Sequence, residues 1–210
     1  MNKNVKTALL VSLIPILFFV WFFGQAVWRS MHFQPQWVKL YAERSQLPEV
    51  TLTDSHGKPL SLTDLKGKWV IAFFGYTHCP DICPMTLADL ARVYKQLPEQ
   101  IKKQWRVLFV SVDPERDSPE RLASYIRFFH PDFLAATAPH DVLRPLTKSL
   151  GAIYFVEKSQ GNYDVQHSGK LFIIDPQGRR AGLFDIRRPP PERTVPMDEL
   201  VHDLTGLVTQ

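Results

Sequence analysis

The chain has 210 residues, of which 45% are hydrophobic and 22% charged, and its formal net charge is +4. This balance is normal for a globular domain with a hydrophobic core, and the length leaves room for additional segments. The positive charge is scattered, without a basic stripe carrying interleaved aromatic residues, which excludes nucleic acid as an expected partner.

The first predicted element is an uncharged apolar run from Ala8 to Trp28, ALLVSLIPILFFVWFFGQAVW. It is about long enough to cross a bilayer as a helix, and no convincing signal-peptidase site follows it. We therefore expect residues 1–28 to be an uncleaved membrane anchor and residues 29–45 a juxtamembrane linker. The short N-terminal tail favours a single pass through the inner (cytoplasmic) membrane, with the soluble body on the periplasmic side.

From residue 46 onwards the pattern becomes α/β. Alternating apolar and polar residues around His56-Gly57 predict a hairpin. The continuous apolar runs WVIAFFGYT and WRVLFVSVD predict two buried strands. Between them, the spacing of apolar residues predicts an amphipathic helix from Met85 to Leu97.

Two further helices are expected after the second buried strand. Ser118 and Pro119 suit the N-cap and the first position of a helix that runs to Phe129. Gly151 suits the end of a helix that begins at Asp141.

The last part of the chain completes a recognisable order of elements. Strand-like segments lie around residues 153–156, 163–167 and 170–174, followed by a turn at 175–178 and a terminal helix over 197–207. This order predicts an α/β, thioredoxin-like fold over residues 46–210, with an N-terminal hairpin and an N-terminal transmembrane helix.

The only two cysteines, Cys79 and Cys83, are separated by three residues in FFGYTHCPDICPMTL, between a predicted strand and a predicted helix. Pro84 suits the first helical position, which makes Cys83 the expected N-cap, and the helix dipole there favours thiolate over thiol. Three uses of the pair remain open. The first is a structural disulfide, which would close too short a loop to contribute much stability. The second is a redox pair, which would exchange with another disulfide. The third is a metal site, since two thiolates would suit a soft ion such as copper(I).

A metal site would need a third ligand from elsewhere in the chain. His167 lies at the end of an apparent strand and just before a tight turn, where its side chain could project over the first strand–helix loop. A single histidine is more often structural, however. His78 adjoins Cys79 but could face away, and Met85 is more simply a residue of the first helical turn. Residue types alone leave the third ligand undecided.

Three sequence blocks, FGYTHCPDICP, SVDPERDSP and VQHSGKLFIIDPQG, resemble the signature blocks of the SCO/SenC family in the same order. Proteins of that family are membrane-anchored, thioredoxin-like copper proteins linked to the assembly of cytochrome c oxidase. The resemblance covers about residues 45–205. It implies a copper site, for copper(I) and also for copper(II), built from Cys79, Cys83 and His167.

The resemblance also implies that aspartates of the second block lie near the copper site. Asp113 is the expected supporting residue, whereas Asp117 has an equal claim to opening the helix that follows it. Asp81, between the cysteines, is expected to face solvent. The chain departs from the family pattern at Gln166, where aspartate is common, and this difference is expected to alter copper(II) affinity.

The function implied by the resemblance is delivery of copper to the binuclear copper centre of cytochrome c oxidase subunit II. Further expected partners are a periplasmic copper donor, a thiol reductase and, through the anchor, membrane lipid. Such a protein would not be an enzyme. The alternative is a thiol–disulfide oxidoreductase that reduces the cysteines of that subunit before metal loading. A copper or redox sensor would use the same residues, and a peroxidase has no specific support.

Overall fold

A computed structural model describes residues 18–24, 33–159, 162–186 and 197–209, and Pro35–Val208 forms one compact unit. Of the predicted membrane anchor, the structure describes only a helical stretch over residues 18–24. Among the described residues, no helix combines the length and the apolar character needed to span a bilayer. The rest of the predicted anchor lies outside the described residues.

Strands and helices alternate through most of the Pro35–Val208 unit. The described strands are β1 Lys39–Gln46, β2 Thr51–Asp54, β3 Pro59–Ser61, β4 Trp69–Gly75, β5 Trp105–Ser111, β6 Leu134–Thr137, β7 Tyr154–Ser159, β8 Asn162–His167, β9 Leu171–Ile174 and β10 Arg179–Phe184. The helices are α1 Ile82–Gln96, α2 Glu99–Lys102, α3 Pro119–Phe129, α4 His140–Leu150 and α5 Met197–Val208, with a 3-10 turn at Leu62–Leu65.

Eight strands form one sheet in the order β1-β10-β9-β4-β5-β6-β2-β3. Strands β4, β5 and β6 run parallel to one another, and β9 and β10 complete the sheet on the other side in antiparallel pairing. All seven residues of β4 are buried, as its continuous apolar run predicted. The parallel centre of the sheet places the carboxyl ends of β4 and β5, and the loops that follow them, at one edge of the molecule.

The β2–β3 hairpin belongs to this sheet, whereas the β7–β8 hairpin is separate from it. Strands β2 and β3 form the predicted N-terminal hairpin, with Gly57 at a φ of 74° in its bend. Strands β7 and β8 form a separate two-stranded sheet in which Tyr154 pairs with His167. His167 is therefore the last residue of a hairpin that stands apart from the main sheet.

The predicted helix signals after β5 are confirmed. Ser118 caps α3 by accepting a hydrogen bond from the backbone N–H of Arg121, and Pro119 occupies the first turn. Gly151 ends α4 in the left-handed conformation, at a φ of 78°.

The predicted start of α1 is wrong. The helix begins at Ile82, so that Cys83 is its second residue rather than its N-cap, and Pro84 is its third residue. Proline is tolerated at this position because the N–H groups of the first turn have no acceptor within the helix. Cys83 thus lies inside the first turn, and Cys79 lies in the loop before it.

The predicted linker over residues 29–45 also needs correction, because residues 39–45 belong to strand β1. This edge strand pairs antiparallel with β10. Six of its eight residues are exposed, so its sequence, KLYAERSQ, lacks the alternating apolar pattern of a half-buried strand. The folded unit therefore begins before residue 46.

Candidate metal centre

Both cysteines lie where the carboxyl end of β4 leads into α1. Cys79 is 8% exposed and Cys83 is fully buried, and neither forms a disulfide. The backbone N–H of Cys83 donates a hydrogen bond to the Cys79 sulfur over 3.4 Å. The first turn of a helix thus faces the sulfur of Cys79 with an N–H group, which favours the thiolate.

His167 approaches the cysteines from the end of the β7–β8 hairpin. Its Nε2 atom lies 3.2 Å from Cys83 Sγ, and its Nδ1 atom lies 3.2 Å from the carbonyl oxygen of Ser168. Because a carbonyl can only accept, Nδ1 carries a proton, and the ring turns its Nε2 atom toward the sulfurs. One ligand atom each of Cys79, Cys83 and His167 lies within 4.8 Å of the others, so the structure brings together the three residues selected in the sequence.

Aromatic residues fix the plane of the His167 ring. Phe73 and Tyr76 meet it edge-on, with ring centroids 6.0 and 5.7 Å away. Both residues come from β4 or the loop directly after it, the same segment that carries Cys79. The imidazole is therefore oriented by the strand that positions the sulfurs.

Two glycines allow this close approach, and neither was singled out in the sequence. A Cβ atom on Gly75 would lie 2.6 Å from Cys83 Sγ, and one on Gly169 would lie 2.6 Å from Cδ1 of Ile82. Gly75 lets the Cys83 sulfur pack against the end of β4, and Gly169 lets the segment after His167 pack against Ile82, the first residue of α1. In the sequence, each glycine lies close to a residue of a signature block, and this proximity is the signal that could have identified it.

The two sulfurs share one proton. Since the Cys83 thiol donates to the Cys79 sulfur, the pKa of Cys79 is lowered to about 3, although burial opposes this shift. The same hydrogen bond, together with burial, raises the pKa of Cys83. At neutral pH the pair consists of a Cys79 thiolate and a Cys83 thiol, which loses its proton when a metal takes its place.

Asp117 supports the cysteine side of the centre. Its buried carboxylate accepts hydrogen bonds from the backbone N–H of Thr77 over 2.9 Å, from the Thr77 hydroxyl over 2.6 Å and from the Ser111 hydroxyl over 2.6 Å. It therefore braces the loop that leads to Cys79. Helix α3, which Asp117 was given an equal claim to open, is instead capped by Ser118.

Asp113 supports the histidine side. The Tyr163 hydroxyl donates to its Oδ1 over 2.6 Å, and Arg116 Nε donates to its Oδ2 over 2.5 Å. The guanidinium of Arg116 also stacks 4.0 Å above the Tyr163 ring. Because Tyr163 lies on β8, this contact fixes the strand that ends at His167.

His78, Asp113 and Asp117 form a second group whose ligand atoms lie within 4.8 Å of one another. The carboxylate oxygens of both aspartates already accept hydrogen bonds from protein donors. We therefore interpret this group as support for the first three residues. Asp81 is exposed, as predicted, and Met85 is 49% exposed in the first turns of α1.

Comparison with known families and relatives gives one consistent result. The SCO1/SenC family model matches residues 42–202. A Stutzerimonas stutzeri protein named for copper binding is 37% identical over 153 residues, which are 72% of this chain and 74% of that protein. The mitochondrial SCO2 protein of Saccharomyces cerevisiae is 38% identical over 132 residues, 61% of this chain and 44% of its own length. The chain thus spans about half or less of the mitochondrial relatives it matches.

Solved structures agree with the fold. The apo Sco1 protein of Thermus thermophilus has a TM-score of 0.71 and 33% identity, covering 84% of this chain and 98% of that one. ScoI of Bradyrhizobium japonicum, solved with copper bound, has a TM-score of 0.66 and 28% identity, covering 77% of this chain and 98% of that one. The fold is therefore the mixed α/β, thioredoxin-like fold of these proteins.

Proposed function

This chain belongs to the SCO1/SenC family, and from that premise we propose that it binds one copper ion through Cys79, Cys83 and His167 and delivers it to the binuclear copper centre of cytochrome c oxidase subunit II. The observation that carries the proposal is the convergence of two buried sulfurs and one imidazole within 4.8 Å. Thiolates are soft ligands that select copper(I), and imidazole also binds copper.

The chemistry of the site suits release as well as binding. The three ligands come from two separate parts of the fold, a loop–helix junction and the end of a hairpin. His167 is partly exposed, so an incoming ligand from an acceptor can reach the metal on that side. Copper would then pass by stepwise ligand exchange, with a proton returning to the cysteine pair as the metal leaves.

The predicted anchor over residues 1–28 gives the proposal its cellular setting. A single-pass tether in the inner membrane would hold the thioredoxin-like copper-binding domain at the periplasmic surface. Sharing a membrane with the oxidase raises the effective concentration of donor and acceptor. A periplasmic copper donor and a thiol reductase complete the proposed partners, because loading requires both cysteines to be reduced.

Metal content tests the ligand assignment. We expect the full-length protein, purified in detergent with copper, to bind one copper ion per chain, and Cys79→Ala, Cys83→Ala and His167→Ala each to lose affinity. His56→Ala, in the bend of the β2–β3 hairpin, is the matched control and should bind like wild type. Stoichiometric copper at wild-type affinity in all three ligand variants would refute the assignment.

A thiol–disulfide oxidoreductase is the second candidate, and the state of the cysteine pair favours it specifically. The lowered pKa of Cys79 supplies a thiolate, and Cys83 lies beside it to resolve a mixed disulfide. The variant His167→Ala separates the two functions. A reductase should keep its activity toward oxidised subunit II in that variant, whereas copper delivery should be lost.

A further inference from the structure

A groove of about 740 Å³ runs between helix α4 and the start of strand β7. Its apolar floor and wall include Ile153 and Phe155, which are 60% and 66% exposed. Within the described part of Pro35–Val208, only Met85 and Phe128 are other large hydrophobic side chains with comparable exposure. Exposed apolar side chains that gather in one groove mark an interaction surface more strongly than isolated ones do.

The groove adjoins the metal centre directly. The carbonyl oxygen of Ile153 accepts a hydrogen bond from the backbone N–H of Ser168, the residue after His167, over 2.9 Å. Tyr154, which also lines the groove, is the cross-strand partner of His167. Any molecule seated in the groove would therefore lie beside the most accessible of the three proposed copper ligands.

The rim of the groove is cationic. Arg144 and Lys148 are exposed on α4, one helical turn apart, and both line the groove. The carboxylate of Glu115 also lines the groove, but it accepts from the Tyr163 hydroxyl and lies 3.4 Å from His140 Nε2. The charge left to face a partner is therefore positive.

We propose that this groove docks an acidic protein segment bearing at least one apolar side chain, contributed by the protein that receives copper from Cys79, Cys83 and His167. The inference rests on the proposed function for the identity of the occupant. Carboxylates of the segment pair with Arg144 and Lys148, and its apolar side chain covers Ile153 and Phe155. The contact brings the acceptor's ligands to the His167 side of the metal.

Binding to purified, copper-free subunit II tests the proposal with the full-length protein in detergent. The charge-reversal pair Arg144→Glu/Lys148→Glu and the apolar pair Ile153→Ser/Phe155→Ser should each weaken binding by about ten-fold or more at low ionic strength. The effect of charge reversal should shrink as salt is added, whereas the effect of the apolar pair should persist. Copper content should stay at the wild-type value in both, since no proposed ligand is changed.

Matched controls come from other faces of the molecule. Lys95→Glu/Lys103→Glu makes the same change in net charge at two exposed positions, one in the last turn of α1 and one directly after α2. Phe128→Ser removes an apolar side chain that is 85% exposed on α3. Both should bind subunit II like wild type. Equal weakening in these controls, or wild-type binding in the groove variants, would overturn the docking site.

Three further outcomes are decisive. If the groove variants lose binding to vesicles with anionic headgroups while their binding to subunit II is unchanged, the groove binds the membrane and the proposal is overturned. If the wild-type protein self-associates and only the groove variants do not, the groove binds a second copy of the chain and the proposal is likewise overturned. If wild-type protein binds subunit II through the groove but holds no copper, the docking site stands and the proposed function fails.

Discussion

Gly75 determines where the Cys83 sulfur can lie. A methyl group at this position would sit 2.6 Å from Cys83 Sγ and 2.9 Å from Cε2 of Phe109, so one of them must move. Both neighbours are fully buried, which leaves little space for relief. The glycine therefore contributes to the metal centre without contacting a metal.

We predict that Gly75→Ala lowers copper affinity and reduces the free energy of unfolding by about 1–3 kcal/mol, the usual cost of overpacking a core. Copper titration and urea denaturation of the purified protein measure the two effects. In a Cys83→Ala background the sulfur is absent, and the added methyl should then cost less stability. An equal loss of stability in both backgrounds would show that Cys83 Sγ is not what the methyl group meets.

The shared proton makes Cys79 reactive at low pH. An ordinary thiol, with a pKa near 8.5, loses about 100-fold of its thiolate between pH 7 and pH 5. Cys79, whose pKa is lowered to about 3, should keep nearly all of its thiolate over that range. In metal-free protein, we therefore predict that iodoacetamide modifies Cys79 at nearly the same rate at pH 5 and pH 7.

Cys83→Ala is the matched control, because it removes the thiol that donates to Cys79. Alkylation of Cys79 in this variant should slow more steeply as the pH falls. Mass spectrometry of the modified peptide identifies which sulfur reacted. A wild-type rate that falls by about 100-fold from pH 7 to pH 5 would contradict the assigned proton.

At the scale of elements, His167 depends on the contacts that join the β7–β8 hairpin to the rest of the fold. One of them is the hydrogen bond from Tyr163 to Asp113, reinforced by Arg116 above the ring. We predict that Tyr163→Phe keeps the stacking but weakens copper binding by about ten-fold, since residues that orient a ligand contribute at this level. Competition with a copper(I) chelator measures the affinity.

Tyr41→Phe is a suitable control for Tyr163→Phe, because Tyr41 also lies beneath an arginine but on the distant edge strand β1. It should leave copper affinity unchanged. If Tyr163→Phe binds copper as tightly as wild type, the contact with Asp113 does not position the hairpin.

Helix α5 secures the segment that enters the domain. The fully buried carboxylate of Asp203 accepts hydrogen bonds from the backbone N–H groups of Gln36, Trp37 and Val38 over 2.9, 2.7 and 2.8 Å. We predict that Asp203→Ala lowers the free energy of unfolding by about 2–4 kcal/mol, because buried donors lose a charged acceptor. Urea denaturation monitored by circular dichroism measures the change.

The exposed residue Asp198 on the same helix provides the comparison for Asp203. Asp198→Ala should cost less than about 1 kcal/mol, the scale of a charge near a helix N-terminus. Equal effects of the two substitutions would mean that Asp203 does not tie the entering segment to α5.

At the scale of the whole molecule, the strands and helices that could be predicted from the sequence are those whose apolar residues follow a periodic or continuous pattern. The run from Trp69 to Gly75 identified β4, and Ser118 with Pro119 identified the start of α3. Sequence reasoning missed β1, because an exposed edge strand carries no apolar pattern. It also misplaced the start of α1, because proline suits any position of a first helical turn.

The candidate site divides in the same way. Cys79, Cys83 and His167 were recognised through motif blocks, which preserve the order and spacing of ligands. The contributions of Tyr163 and Gly75 were not recognisable, because each depends on which residue lies opposite in the folded chain rather than nearby in sequence. Supporting contacts of this kind become visible only once the strands are paired.

The central claim is that Cys79, Cys83 and His167 hold one copper ion together. X-ray absorption spectroscopy at the copper edge, on the copper(I)-loaded full-length protein, tests it most directly. We predict a copper environment with two sulfur neighbours and one imidazole nitrogen, from which His167→Ala removes the nitrogen and leaves both sulfurs. A copper environment without sulfur, or one unchanged in Cys79→Ala and Cys83→Ala, would contradict the claim.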